Sequence, residues 1–228
     1  MVFKMPLDSD IIENAVKKAK ENKFKGKFTH TVDLFIILRD IDLKQPQNRI
    51  NTEHVLPNGL GNKKSNICVL TTNGDFALRA KQEDLTVVDK EGLNELQQNR
   101  SEARKLSRDH DFFIASVEAM PLVAKSLGPV LGPKGKMPLG PPRGSGIVPP
   151  TTEIKSLKEK YEKTIRLKMR KALRIYCPVG DEEMSNKELT ENIESIVNFL
   201  ERNLEKGLGN FKNIYLKTTM GHPVKIEI

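Results

Sequence analysis

The sequence predicts an α/β protein: a split α+β domain with an antiparallel sheet formed by both chain ends, plus an inserted three-layer α/β (Rossmann-like) domain. Three observations carry that prediction. Strands near both ends alternate apolar and polar residues, as in Thr164-Ile-Arg-Leu-Lys-Met169, the pattern of a sheet with one wet face. Runs in the middle, such as Ile67-Cys-Val-Leu70, are apolar throughout, as strands covered on both faces require. Helical segments separate those runs, which implies parallel strands joined by crossovers. A chain of 228 residues can give both units a core. The expected boundaries are 1–66 with 157–228 for the split domain and 67–156 for the insert. Two passages of chain join them, and such a connection permits hinge motion.

The first element is a helix from about Ile11 to Lys23, capped by Ser9 or Asp10, because Ile12, Ala15, Val16 and Ala19 share one stripe. Lys17, Lys18 and Lys20 take its outer face. Val32-Asp-Leu-Phe-Ile-Ile-Leu-Arg39 is a strong strand. After a linker holding Pro46, Arg49-Ile-Asn-Thr-Glu-His-Val-Leu56 alternates and is expected in the same sheet. Turn residues fill Pro57–Ser65.

Three apolar runs follow: Ile67–Leu70, Thr86–Asp89 and Phe112–Ala115. Between and after them the pattern gives helices over Asp75–Gln82, Lys90–Leu106 and Val117–Leu127. Gly128–Pro150 then concentrates six of the 15 glycines and seven of the 13 prolines, a density that predicts an extended loop or hinge. A helix is expected over Thr152–Lys163. Beyond it Thr164–Met169 and Ala172–Cys177 alternate as half-exposed strands, with Arg166, Lys168, Arg170 and Arg174 outward. Ser185-Asn-Lys-Glu188 has capping-box form and opens a helix to about Lys206, stopped by Gly207. Two short strands, Asn213–Thr218 and Val224–Ile228, close the chain around Met220-Gly-His-Pro223.

A net charge of +8 favours a polyanionic partner, nucleic acid above all. Sparse aromatics (5 %) and no Trp argue against a single-strand binder built on many stacking platforms. Cys68 and Cys177 stand far apart in apolar runs and read as small buried residues of a reducing cytosol. Met1-Val-Phe-Lys-Met-Pro6 leads into the first helix without the apolar region of a signal peptide, and no stretch reaches the ~20 apolar residues of a spanning helix. The expectation is a cytoplasmic protein with no membrane partner.

Catalytic motifs fail on inspection. A phosphate loop ending on Gly135-Lys136 would need Gly at Val130 and a hydroxyl at Met137. One glycine, Gly74, follows the Ile67–Leu70 run where a dinucleotide fingerprint needs three. His30, His54, His110 and His222 show no metal-ligand spacing, and Arg143-Gly-Ser-Gly146 lacks the glycine two places before Ser145 that a nucleophile elbow needs. No metal, cofactor or enzyme activity is expected. The alternative kept open is a nucleotide- or sugar-phosphate-binding α/β enzyme using the Gly/Pro-rich loop. Arg166, Lys168 and Arg170 at alternate positions could neutralise successive phosphates, although a charged strand face is usually just solvated.

Three stretches then carry a resemblance. They are Met120-Pro-Leu-Val-Ala-Lys-Ser-Leu-Gly-Pro-Val-Leu-Gly-Pro-Lys-Gly-Lys-Met-Pro138, the pair Lys27-Phe28 with Val55-Leu-Pro-Asn-Gly-Leu-Gly61, and Thr219-Met-Gly221. Together they resemble the ribosomal protein L-one family, the side-stalk protein of the large subunit, in its archaeal type. The resemblance implies binding to the stalk region of large-subunit ribosomal RNA. It further implies help in releasing deacylated tRNA from the E site, and repression of its own mRNA through a leader or coding-region site that mimics the ribosomal one. A monomer is implied away from the ribosome. On the same footing, Phe28, Thr219, Met220 and Gly221 would form the core of the RNA surface, with Lys27 and Thr31 beside them. Lys168 and Arg170 would meet phosphates, and Lys217, two residues before the Thr-Met-Gly triad, completes the RNA-binding set with Asn213. Asn213 stands where the family pattern has a Ser-type hydroxyl, and its amide has a different reach.

Overall fold

In the computed structural model, which describes residues 8–24, 28–45, 48–169 and 172–227, the first helix begins at neither expected cap. Asp8 caps it instead, accepting the Asp10 N–H, and α1 runs Ser9–Glu21. Its stripe of Ile12, Ala15, Val16 and Ala19 is buried as the periodicity requires. Lys20 turns inward from the expected outer face, and its ammonium donates to the Met184 carbonyl. Strand β1 (Thr31–Leu38) follows, then β2 (Asn51–Val55).

The chain next builds a unit over Ser65–Glu162. Its elements are β3 (Ile67–Leu70), α2 (Gly74–Gln82), β4 (Thr86–Val88), α3 (Lys90–Gln98), α4 (Arg100–Asp109), β5 (Phe112–Ser116), α5 (Met120–Ser126), α6 (Gly128–Lys134), β6 (Ile147–Val148) and α7 (Ile154–Glu162). The sheet is parallel, in the order β4-β3-β5-β6. Alternate residues feed two cores: Cys68, Leu70 and Phe113 join Leu93, Val123 and Leu131, while Val69, Phe112 and Ile114 join Phe76, Leu157 and Tyr161. That is a three-layer arrangement. Burial pushes both cysteine thiols, Cys68 here and Cys177 in the other unit, up to about 12, which leaves them inert packing groups.

Two expectations for this stretch are corrected. The single helix over Lys90–Leu106 breaks in two because the Asn99 side chain caps α4, accepting from Ser101 and Glu102 N–H. The Gly/Pro-rich segment is not wholly loop. Pro129 sits in the first turn of α6, where no helical N–H is needed, and Gly135 ends the helix at φ 65°. Ile147–Val148 pairs with β5 at the sheet edge.

The remainder, Met1–Lys64 with Lys163–Ile228, forms the second unit. It adds β7 (Thr164–Lys168), β8 (Arg174–Asp181), α8 (Asn186–Asn203), β9 (Phe211–Thr218) and β10 (Val224–Ile226). Ser185 and Glu188 form the expected capping box, while α8 ends at Asn203, before Gly207, which opens a 3-10 turn. The antiparallel sheet runs β10-β9-β1-β8. Val32, Leu34, Ile36, Ile175, Ile214 and Leu216 pack with α1 and α8 on one face. Strand β2 does not join it. Both edges of β1 are taken by β8 and β9, so β2 pairs with β7 in a separate two-stranded ribbon. Within that ribbon Glu53 faces Arg166 directly, and the two side chains form a largely buried ion pair. Arg166 is therefore a structural cation and not an outward phosphate contact.

Candidate nucleic-acid interface

The turn between β9 and β10 is tight and pinned. Thr219 N–H donates to the Thr31 carbonyl at 2.9 Å, and its hydroxyl reaches the same oxygen at 3.2 Å. Gly221 N–H closes the turn on the Thr218 carbonyl at 2.9 Å. Met220 adopts φ 64°, a left-handed conformation that non-glycine residues avoid, and its side chain is 71 % exposed. A Cβ on Gly221 would run into the Thr218 hydroxyl, so the position is closed to any side chain. The turn thus presents an apolar side chain and bare backbone, held from below.

Phe28 reaches the same corner through His30. The two rings lie 4.3 Å apart, and His30 Nδ1 donates to the Thr219 carbonyl at 2.6 Å. Because a carbonyl only accepts, that nitrogen carries the proton. Phe28 is 50 % exposed, so two large apolar side chains stand in solvent on one fixed scaffold.

An acidic turn after β8 holds this scaffold, and sequence reasoning missed it. Glu182 accepts from His30 N–H at 3.1 Å and from Lys23 Nζ at 2.9 Å. Glu183 accepts from Thr29 Oγ1 at 3.1 Å and from Asn62 Nδ2 at 2.6 Å. Asp181 accepts the N–H groups of Asn62, Glu183 and Met184. Desolvation pushes the Glu182 carboxyl up, but the bonds from Lys23 and His30 outweigh it and leave it below its usual value. The signal in the sequence was the acidic run Asp181-Glu-Glu183 directly after Gly180.

Of the expected site residues, Phe28, Thr31, Thr219, Met220 and Gly221 converge on this corner. Lys217 and Asn213 share the outer face of β9 but recede from it, Asn213 lying six residues or roughly 20 Å along the strand. Asn213 pairs with Ile37, near the opposite end of β1. Lys168 ends β7 and, with Lys217, lines a hollow on the outer sheet face. Lys27 and Arg170 lie outside the described residues.

Charge follows the same division. Residues 65–162 hold 14 Lys and Arg against 13 Asp and Glu, so the split unit carries +7 of the net +8. Among the described residues no His/Cys/Asp/Glu group could hold a metal, and no helix is long and apolar enough to cross a membrane.

A family model described as "Ribosomal protein L1p/L10e family" matches residues 16–222. The large ribosomal subunit protein uL1 of Methanothermococcus thermolithotrophicus is 43 % identical over 221 residues, covering 97 % of this chain and all of that protein. Its namesake in Methanococcus voltae is 44 % identical over 221 residues, with the same coverage. That of Pyrococcus abyssi is 40 % identical over 225 residues, covering 98 % of this chain and 99 % of that protein.

Proposed function

The chain belongs to the ribosomal protein L1p/L10e family, and from that premise we propose that the corner of Phe28, Thr219, Met220 and Gly221 holds a folded junction of large-subunit ribosomal RNA. It is a protein of the large ribosomal subunit rather than an enzyme, and the ribosome places it in the cytoplasm. The family leaves no place for a nucleotide- or sugar-phosphate-binding enzyme built on the Gly/Pro-rich loop. The observation that supports the corner is the exposure of Phe28 and Met220 on backbone pinned by Thr31 and His30. Structured RNA is read through shape, 2′-hydroxyls and phosphates, which suits a rigid surface of hydroxyl and backbone groups better than a flexible one. Lys217 and Lys168, with Lys27 and Arg170, supply the salt-sensitive part of the affinity.

Thr219→Val removes a hydroxyl while keeping the shape. We expect about tenfold weaker binding to a stalk fragment of large-subunit RNA in a mobility-shift assay, with unchanged circular dichroism. Unchanged affinity would remove Thr219 from the surface. The site is assigned to the split unit alone. Joining residues 64 and 163 by a short bridge should leave a fragment that binds the same RNA, and a folded but non-binding fragment would move the site to the insert.

Two further roles are inferred from the resemblance. The first is assistance to E-site release of deacylated tRNA, read as slower tRNA loss from subunits lacking the protein. The second is repression of its own mRNA, read as a reporter whose translation falls when the protein is added and recovers with Thr219→Val.

A further inference from the structure

We propose that the outer face of the four-stranded sheet is a stacking platform for unpaired RNA bases. This rests on the RNA-binding reading above and carries it from the corner onto the sheet. The register places Lys225, Tyr215, Phe35 and Tyr176 in one row across β10, β9, β1 and β8. The Phe35 and Tyr176 rings lie 4.6 Å apart, and Tyr176 is 53 % exposed. A hollow of about 860 Å³ opens over these rings, with Lys168, Arg174 and Lys217 in its lining. Helices α1 and α8 cover the opposite face, so the rings contribute nothing to that core.

A solvated sheet face ordinarily carries polar side chains, and three rings in one row are surface left for a partner. Sheets with helices behind and aromatics in front bind single-stranded RNA by stacking two or three bases on the rings. The surrounding cations select the occupant. They match phosphates, whereas an apolar protein partner would leave Lys168, Arg174 and Lys217 to be desolvated. Asp33, in the next row, is buried, which raises its carboxyl above its usual value; a hydrogen bond from the Tyr176 hydroxyl and the charge of Lys217 opposite it offset that only in part. A duplex hides its base faces within the stack. The fitting ligand is therefore a single-stranded or looped-out segment, continuous with RNA held at the Thr219 corner.

The chain contains no Trp and three Tyr; Tyr176 and Tyr215 are on this face and Tyr161 is fully buried in the inserted unit. Tyrosine emission of the full chain thus reports ring stacking. Titration with a short oligouridylate should quench it, and inorganic polyphosphate, which offers charge without bases, should not. Tyr176→Leu should weaken oligouridylate binding about fivefold or more, and Tyr176→Phe should restore it. Circular dichroism and melting temperature check that the exposed substitution leaves the fold intact. Equal affinity of Tyr176→Leu and the native chain overturns the platform. So does absence of oligouridylate binding, or competition by polyphosphate as potent as by oligouridylate. Concentration-dependent self-association that Tyr176→Leu abolishes, without RNA binding, would assign the face to a second copy instead. Failure of the corner is separable: it is read with Thr219→Val on the structured stalk fragment, whereas the platform is read with Tyr176→Leu on oligouridylate.

Discussion

In the inserted unit every residue of β3 and β5 is buried, with helices packed on both faces of the sheet. In the split unit β1 and β9 send alternate residues into the core and the others to the outer face, where Asp33 of β1 is buried as well, with helices behind only. A strand covered on both faces spends all its side chains on packing. A strand with one open face can aim half of them at a ligand, and here those include Lys217 and Tyr215. The charge balance agrees, since nearly all of the excess lies in the unit with the open sheet. The open, basic sheet face of the split unit thus fits the proposed RNA surface, and the doubly covered sheet fits a scaffold, without reference to any single motif.

The largest test of that separation strikes the inserted core. Phe113 is fully buried there, and Phe113→Ala should cost about 3–5 kcal/mol of that unit's stability. Chemical denaturation should show it while affinity for the stalk RNA holds. Affinity falling in step with stability would mean that the insert supports the site. A smaller effect is expected at the corner itself. Gly221→Ala pushes a methyl into the Thr218 hydroxyl and should cost about 1–3 kcal/mol, with RNA binding weakened because Met220 must move. Adding Thr218→Ala removes the obstructing oxygen and should recover part of both losses. No recovery would mean that the Asn22 and Thr218 carbonyls, each within about 3.3 Å of the new methyl, decide the outcome instead.

The fold was legible where local pattern and burial agree. The α1 stripe, the buried β3 and β5 runs and the Ser185 capping box all stand where the residues put them. It was illegible where a choice depended on occupied edges. Nothing local to Asn51–Val55 says that β1 has no edge left for it. Asn99 looked like one more residue of a long helix because capping competes with helix continuation at a single position. Pro129 and Gly135 argue locally against a helix although each suits the end of one. At the corner, the Thr-Met-Gly triad and Phe28 were visible as residues, but the bond that unites them, His30 to the Thr219 carbonyl, spans 189 positions. The acidic run stands in the sequence, but its role does not, for the same reason: its three carboxylates serve distant partners such as Lys23, Thr29 and Asn62.

That acidic turn gives the smallest and most selective test. Glu182 titrates below its usual 4.5 in the folded chain, because hydrogen bonds from Lys23 and His30 overcome the opposing effect of burial. A carboxyl lowered on folding adds stability that is fully present above its unfolded value and is lost as pH falls through the folded one. Glu182→Gln should therefore lower stability at pH 7 by no more than about 1 kcal/mol, as befits a pair near solvent. The gap between the two melting temperatures should close as the pH is taken below the carboxylate range. At pH 7 the substitution should also weaken stalk-RNA binding slightly, since the neutral amide no longer pairs with Lys23 and accepts more weakly from His30 N–H, while the backbone bond from Glu182 N–H to the His30 carbonyl remains. A gap that stays constant with pH would show that the shape of Glu182, and not its charge, fixes the corner. The open-faced unit would then owe its rigid site to packing, as the inserted unit owes its core.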